Sequence, residues 1–302
     1  MKQATFDVGG SGIKYIIFEK EIIIKQGHIN YSFSKERISL EDVLNEILKV
    51  VKSLESEVQI GISMPGIIDS KNIRVLTESG IKDVNIDIVE FFSKNSFIKK
   101  IIIENDGNSA ALGEWYYRAN PKIKNFVNIT IGSAIGCGII LNNQLYKGSE
   151  LKAGEISRMF SNNCKAGDTH GLALDTGIGL LGLKYSKITQ NEKILTGKQI
   201  FDLYNKNDLL INELVQEWIS SIAKTILNLD YILDFDLITV GGGVSENKLF
   251  FELLKNEISK IKDIKVQNFM ILNETILNRV EISKTKNYAG CYGVYYLLNK
   301  QK

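Results

Sequence analysis

The chain has 302 residues, 44% apolar, 24% charged and 9% aromatic, a make-up with room for two globular domains that excludes a disordered chain. With 37 Lys and Arg against 35 Asp and Glu the net charge is +2, so no global field draws it to nucleic acid or anionic lipid, and a substrate must be recognised locally. The opening MKQATFDVGG holds no signal-peptide core and no run approaches the roughly 20 apolar residues of a membrane span, so the expected location is the cytoplasm. Cys137, Cys164 and Cys291 form no CxxC pair and only His28 and His170 supply imidazole, which argues against a four-ligand structural zinc site.

In chain order, ATFDV, GGSG, IKYIIF, EK and EIIIKQG predict strand, glycine turn, strand, turn and strand. LEDVLNEILKVVKSL has helical apolar spacing at Leu40, Val43, Leu44, Ile47, Val50, Val51 and Leu54. VQIGISMPG and KKIIIEND read as strands, and NSAALGEWYYRAN as a helix that stops before Pro121, with Trp115, Tyr116 and Tyr117 expected in core and domain-junction packing. The opening figure recurs at 126–148 as FVNITI, GSAIG, CGIIL, NNQ and LYKG, an internal duplication that predicts two like α/β domains. KQIFDLYNK, LLINELVQEWISSIAKTILNLDYIL and ENKLFFELLKNEISKI follow as helices, FDLITVGGG as strand into glycine turn, and KNYAGCYGVYYLLNK as a terminal helix.

Glycine loops after strands let backbone N–H groups approach phosphate, because no Cβ obstructs them and positive φ costs little. The first is Gly9-Gly10-Ser11-Gly12, with Asp7 at the strand end as a carboxylate for water-held Mg²⁺ and Lys14 just beyond; a plain hairpin explains the same pattern. The second is Gly132-Ser133-Ala134-Ile135-Gly136, and the third, Gly241-Gly242-Gly243, ends a strand and opens a helix, where a tight connection is the competing reading. Asp106 follows an apolar strand and precedes a helix, at the sheet end where α/β proteins bind ligands, so it is a candidate general base; Asn105-Asp106 also suits a helix cap. Glu155, Arg158 and His170 lie in a polar stretch that either lines a ligand site or is a solvated loop. Cys137 reads as a small buried residue, and Pro65-Gly66 as a turn at the ligand end of a strand.

Together DVGGSGIK, GISMPGIID, ENDGNSAALGE, IGSAIGCGIILNNQLYKGSELKAGE, VGGGVSEN and NYAGCYGV resemble the ROK (repressor, open reading frame, kinase) family of sugar kinases over essentially the whole chain. The resemblance implies an actin-like ATPase (RNase H-like) fold of two similar lobes about a central cleft: a small lobe of 1–117 with 288–302, and a large, dimer-forming lobe of 118–287. It implies ATP and Mg²⁺ as cofactors, a homodimer, and phosphorylation of the 6-hydroxyl of a hexose or N-acetylhexosamine. Asp106 would be the base, with Pro65, Gly66, Asn105, Glu155 and Arg158 around the sugar, and Asp7 and the three glycine loops around Mg²⁺ and nucleotide. N-acetylmannosamine is the favoured sugar, with a β-glucoside or glucose as alternatives and a non-catalytic sensor as the reading from another class. Most members carry a histidine where Arg158 stands, followed by a cysteine-rich zinc motif; here the region reads CKAGDTHGLALD, so no zinc is expected. Ala134 replaces the usual glycine and would be strained if that position needs positive φ. The first strand begins by about residue 4, leaving no room ahead of it for the helix-turn-helix of the family's repressors, so no DNA binding is expected.

Overall fold

The computed structural model describes residues 1–31, 37–161 and 171–300 and divides into two units. The first takes Met1–Asn120, Leu145–Ala153 and the chain from Asn287 onward; the second takes Pro121–Gln144 and Gly154–Lys286.

In the first unit β1 (Lys2–Val8), β2 (Gly12–Glu19) and β3 (Ile22–Asn30) form an antiparallel meander, with Asp7 opposite Lys14. After the short β4 (Ile38–Ser39), α1 (Leu40–Lys52) crosses to β5 (Val58–Met64), which lies parallel to β1. Ser39 caps α1 by accepting from the Asp42 N–H at 3.1 Å, and the buried stripe Leu40, Val43, Leu44, Ile47 and Val51 follows the predicted spacing. The two-residue strands β6 (Ile68–Asp69) and β7 (Arg74–Val75) pair with each other, β8 (Ile81–Lys82) pairs in parallel with β4, and α2 (Ile88–Ser93) leads to β9 (Ile98–Asn105) and α3 (Asp106–Arg118). The sheet order is β3–β2–β1–β5–β9.

Strand alternation decides what lies on each face. Ala4, Phe6 and Val8 of β1 join Ile60, Ile62 and Met64 of β5 in the core that also takes up α1. Thr5, Asp7 and Ser63 point the other way, and the register sets Asp7 beside Ser63.

The second unit repeats the plan. β10 (Phe126–Ile131) and β11 (Ile135–Leu141) make the hairpin and β12 (Gln144–Leu145) the edge. After α4 (Ala173–Thr176), α5 (Ile178–Ile188), α6 (Gly197–Asn205) and α7 (Leu209–Leu233), β13 (Leu237–Gly241) runs parallel to β10. α8 (Lys248–Ile261), the small hairpin β14 (Ile264–Val266) and β15 (Phe269–Ile271), and β16 (Val280–Ile282) complete the order β12–β11–β10–β13–β16. Val127, Ile129, Ile238 and Val240 pack against Ile222, Ile226 and Phe250. Among the described residues no helix is long and apolar enough to cross a membrane.

The chain returns to the first unit as α9 (Ala289–Asn299), which packs on α3. The crossing is very close: a Cβ at Gly113 would overlap the Ala289 carbonyl, and one at Gly293 the Ser109 carbonyl. Tyr116 and Tyr117 depart from the expected core packing, being 43% and 52% exposed. They lie along the α9 tyrosines instead, Tyr116 at 5.3 Å from the Tyr296 ring and Tyr117 at 5.5 Å from the Tyr292 ring. Leu145–Ala153, which the sequence repeat assigns to the second half, belongs with the first unit. Within it Lys147 reaches the buried Glu104.

Candidate active site

The first glycine loop is held by its own backbone, the Gly9 N–H donating to the Gly12 carbonyl at 2.9 Å, while Gly9, Gly10 and Ser11 stay exposed. None of these glycines has positive φ. Gly12 is required for closeness instead, since a side chain there would overlap the Ile29 carbonyl. Asp7 is half-buried and accepts from Ser63 Oγ at 2.6 Å. Burial raises its pKa, while the Ser63 hydrogen bond and the Lys14 charge pull it down. Gly290 of α9 abuts this carboxyl so closely that any Cβ would overlap it and sit 2.8 Å from Ser63 Oγ. A carboxylate taken out of water with one hydroxyl partner and a lysine neighbour, next to exposed loop amides, fits a water-held divalent cation and phosphate.

At the carboxyl end of β9 the capping question resolves in favour of Asn105. Its Oδ1 accepts from the Asn108 N–H at 3.0 Å and its backbone is extended, so Asn105 is the cap and Asp106 the first helical residue. Asp106 is thereby left exposed. Its Oδ1 accepts from Asn105 Nδ2 at 3.0 Å and from the Gly107 N–H at 2.8 Å. Asn105 Nδ2 also donates to the Gly66 carbonyl at 2.9 Å, tying the base candidate to the Pro65-Gly66 turn. Gly66 sits at φ 102°, with the Thr77 carbonyl where a Cβ would go. Pro65 is buried, so that turn offers its backbone and not the proline ring.

Beneath Asp106 lies a charge network that sequence reasoning missed. Glu104, 2% exposed, takes Ser70 Oγ and Lys147 Nζ on one oxygen, both at 2.9 Å, and the Asn105 N–H at 2.8 Å and Asn108 Nδ2 at 3.2 Å on the other. The strand reading covered Glu104, but nothing local pairs it with a lysine 43 positions away. Ser63 and Gly290 were likewise invisible, because only the parallel register and the α9 packing bring them to Asp7.

In the second unit Gly132, Ser133 and Ala134 form an exposed turn closed by the Gly132 N–H donating to the Ala134 carbonyl at 2.9 Å. Ala134 does not have positive φ, so the expected strain is absent; its carbonyl faces back to Gly132 in a turn an L-residue adopts. Gly177 presses on the Ser133 backbone, and Ile178, the first residue of α5, donates to the Gly132 carbonyl at 3.0 Å. Gly136 lies 2.6 Å, by its missing Cβ, from Thr130 Oγ1. In the third loop Gly241 ends β13, Gly242 takes φ 85° against the Ile131 backbone, and Gly243 begins a 3₁₀ turn, Gly243–Glu246, that precedes α8. The helix therefore starts later than the sequence predicts, at Lys248, because Asn247 caps it by accepting from the Leu249 N–H at 3.0 Å. Beside Gly243 is a cavity of about 590 Å³ with Ile178, Phe201 and Val244 as apolar floor and Lys198, Glu246 and Lys248 on its wall, a volume within the usual range for a small ligand.

Glu155 precedes the 3₁₀ turn Ile156–Arg158 and pairs with its last residue, Arg158 Nε to Glu155 Oε2 at 3.2 Å. Cys137 is buried, and burial pushes its thiol up to about 12, which leaves it un-ionised at neutral pH. Cys164 and His170, and with them residues 164–170 of the segment that replaces the zinc motif, lie outside the described residues.

Each unit by itself shows the hairpin-then-parallel sheet of the actin-like ATPase, or RNase H-like, fold, with glycine loops at the strand ends. The ROK family model matches residues 3–301, and the chain belongs to the ROK family. It is similar to the beta-glucoside kinase of Listeria innocua, 28% identical over 100% of this chain and 99% of that protein. It is also similar to the N-acetylmannosamine kinase of Vibrio vulnificus, 25% identical over 81% of this chain and 83% of that one. A solved Listeria monocytogenes protein, provisionally named an N-acetylmannosamine kinase, matches at TM-score 0.83 with 27% identity and 99% coverage of both chains. The fold is shared with a ROK family glucokinase from Streptomyces griseus solved with glucose and AMPPNP, at TM-score 0.78 and 20% identity over 98% of this chain and 99% of that one.

Proposed function

We propose that the protein is an ATP- and Mg²⁺-dependent kinase acting on the 6-hydroxyl of a hexose or N-acetylhexosamine, with Asp106 as general base and no requirement for zinc. The carrying observation is that Asn105 does the capping while Asp106, beside it, presents an exposed carboxylate oriented by two donors. A carboxylate so placed accepts the proton of an attacking hydroxyl, and the rest of catalysis is positioning and electrostatics. Mg²⁺, held at Asp7 through water, would neutralise phosphate charge. The exposed backbone of Gly10 and Ser11 and of Ser133 and Ala134 offers N–H donors to phosphate, the Gly9 and Gly132 N–H groups being used to close their own loops, and the cavity beside Gly243 suits the adenosine. Gly66, Asn105 and Asp106 in the first unit, and Glu155 with Arg158 in the second, are the candidate sugar contacts.

N-acetylmannosamine is the favoured sugar, supported by the Vibrio relative and by the Listeria structure. The second reading is a β-glucoside, supported by a relative that spans the whole chain. ADP release measured against both sugars and glucose decides among them. Sugar-independent release would indicate a plain ATPase, and no release a sensor. Asp106→Asn should lower sugar-dependent turnover by about 10²–10⁴-fold with nucleotide binding retained; near-normal turnover would remove Asp106 from the role of base. The proposal includes a homodimer, to be tested by sedimentation.

A further inference from the structure

We propose that Lys147 is a positioning residue for Asp106, acting through Glu104; the inference rests on the reading of Asp106 as the base. Glu104 is a carboxylate with 3% of its side chain exposed, and Lys147, 22% exposed, is its ion-pair partner at 2.9 Å. Lys147 Nζ also lies 2.8 Å from Ser70 Oγ, which itself donates to the same Glu104 oxygen, so two donors bonded to each other hold one carboxylate oxygen. The opposite oxygen accepts from the Asn105 N–H and from Asn108 Nδ2, the two residues on either side of Asp106-Gly107 at the start of α3. Asn105 in turn fixes Asp106 Oδ1 and the Gly66 carbonyl through one amide group. The order of dependence is therefore Lys147, Glu104, the Asn105 peptide and Asn108, then the base.

A buried carboxylate keeps this geometry only while its charge is compensated. Without the lysine, the Glu104 carboxylate would turn toward water to keep its charge solvated, and that movement releases the peptide that aims Asp106. The lysine is supplied by a segment, Leu145–Ala153, that sits with the first unit although the chain on both sides of it lies in the second. Gly148 at φ 72° and Gly154 at φ 89° provide the backbone reversals along this excursion. A lysine delivered by such a detour into contact with the residue preceding the candidate sugar ligand Asn105 has a use beyond ordinary surface pairing.

The test compares steady-state phosphorylation of the best sugar by the unaltered protein, Lys147→Met, Lys147→Arg and the double variant Glu104→Gln/Lys147→Met, with nucleotide-induced thermal stabilisation as the check on folding. Lys147→Met should lower kcat by about 10–100-fold, the scale of a displacement near 1 Å at a reacting group, with KM for ATP changed less than about twofold. Lys147→Arg and the charge-free double variant should each recover most of the lost kcat, because both remove the uncompensated carboxylate. A Lys147→Met enzyme within about twofold of normal kcat overturns the inference and leaves the Asp106 reading intact. So does a loss in which neither second variant recovers activity, or one that falls equally on nucleotide binding. Full activity in Asp106→Asn, or no phosphorylation by the unaltered protein, overturns the underlying reading itself and the inference with it.

Discussion

Asp7 sits where two demands conflict. On the face of β1 that meets α9 its carboxyl is packed against Gly290 and holds one hydroxyl, Ser63, so the fold favours its neutral form. The folded-state pKa is raised, which means that ionised Asp7 costs stability at neutral pH, and that the cost fades as pH falls through the raised value toward the ordinary carboxylate range. Asp7→Asn keeps an acceptor for Ser63 and removes the charge. It should raise the thermal midpoint at pH 7, and the gain should shrink as pH falls into the ordinary carboxylate range. Melts taken from pH 4 to 8 test this; identical midpoints throughout would mean that the buried charge costs nothing. The same substitution should abolish stabilisation by Mg²⁺ with ATP, the trade expected where a binding site is held in a strained electrostatic state.

At the scale of elements, α3, whose first residue is Asp106, packs closely across α9 at Gly113 and Gly293. Helix propensity alone favours Gly113→Ala by about 1 kcal/mol. Packing opposes it, because the added methyl would meet the Ala289 carbonyl, and overpacking of this kind costs about 1–3 kcal/mol. Backbone cannot rotate aside as a side chain can, so packing should win and Gly113→Ala should be net destabilising in chemical denaturation. A stabilised variant would show the two helices able to separate freely. This crossing also marks a limit of what sequence patterning reveals. Period and cap signals were sufficient for α1 and for the 25 residues of α7, since those depend on local spacing and flanking polar residues. They were insufficient for the exposed Tyr116 and Tyr117, whose apolar bulk resembles core until the partner helix is known, and for Lys147, whose carboxylate is far away in sequence. At the site, Asp106, Asn105 and the glycine loops were legible because strand ends and glycines announce themselves locally. Ser63, Glu104 and Gly290 were not, because they enter only through register and packing.

Across the whole molecule the two sheets share one strand plan, yet the copies differ where chemistry is expected. Asp7, two residues before Gly9, pairs in register with Lys14 and Ser63. Its counterpart Thr130, two residues before Gly132, pairs with Gly136 and Gly241. The charged group is thus confined to one copy, and the second loop offers backbone and hydroxyl only. This asymmetry predicts that the proposed binding of Mg²⁺ with ATP can be removed without removing sugar recognition, whereas a symmetrical pair of loops would not separate the two. A ligand at a hundredfold excess over its Kd stabilises the folded state by about 2.7 kcal/mol, large enough to read in a thermal shift. Asp7→Asn should therefore keep the shift produced by the preferred sugar and lose that produced by Mg²⁺ with ATP. Asp106→Asn should keep both shifts and lose turnover. Loss of the sugar shift in Asp7→Asn, or of the nucleotide shift in Asp106→Asn, would contradict this division of labour, because each substitution would then be acting on the fold of its unit and not on one ligand.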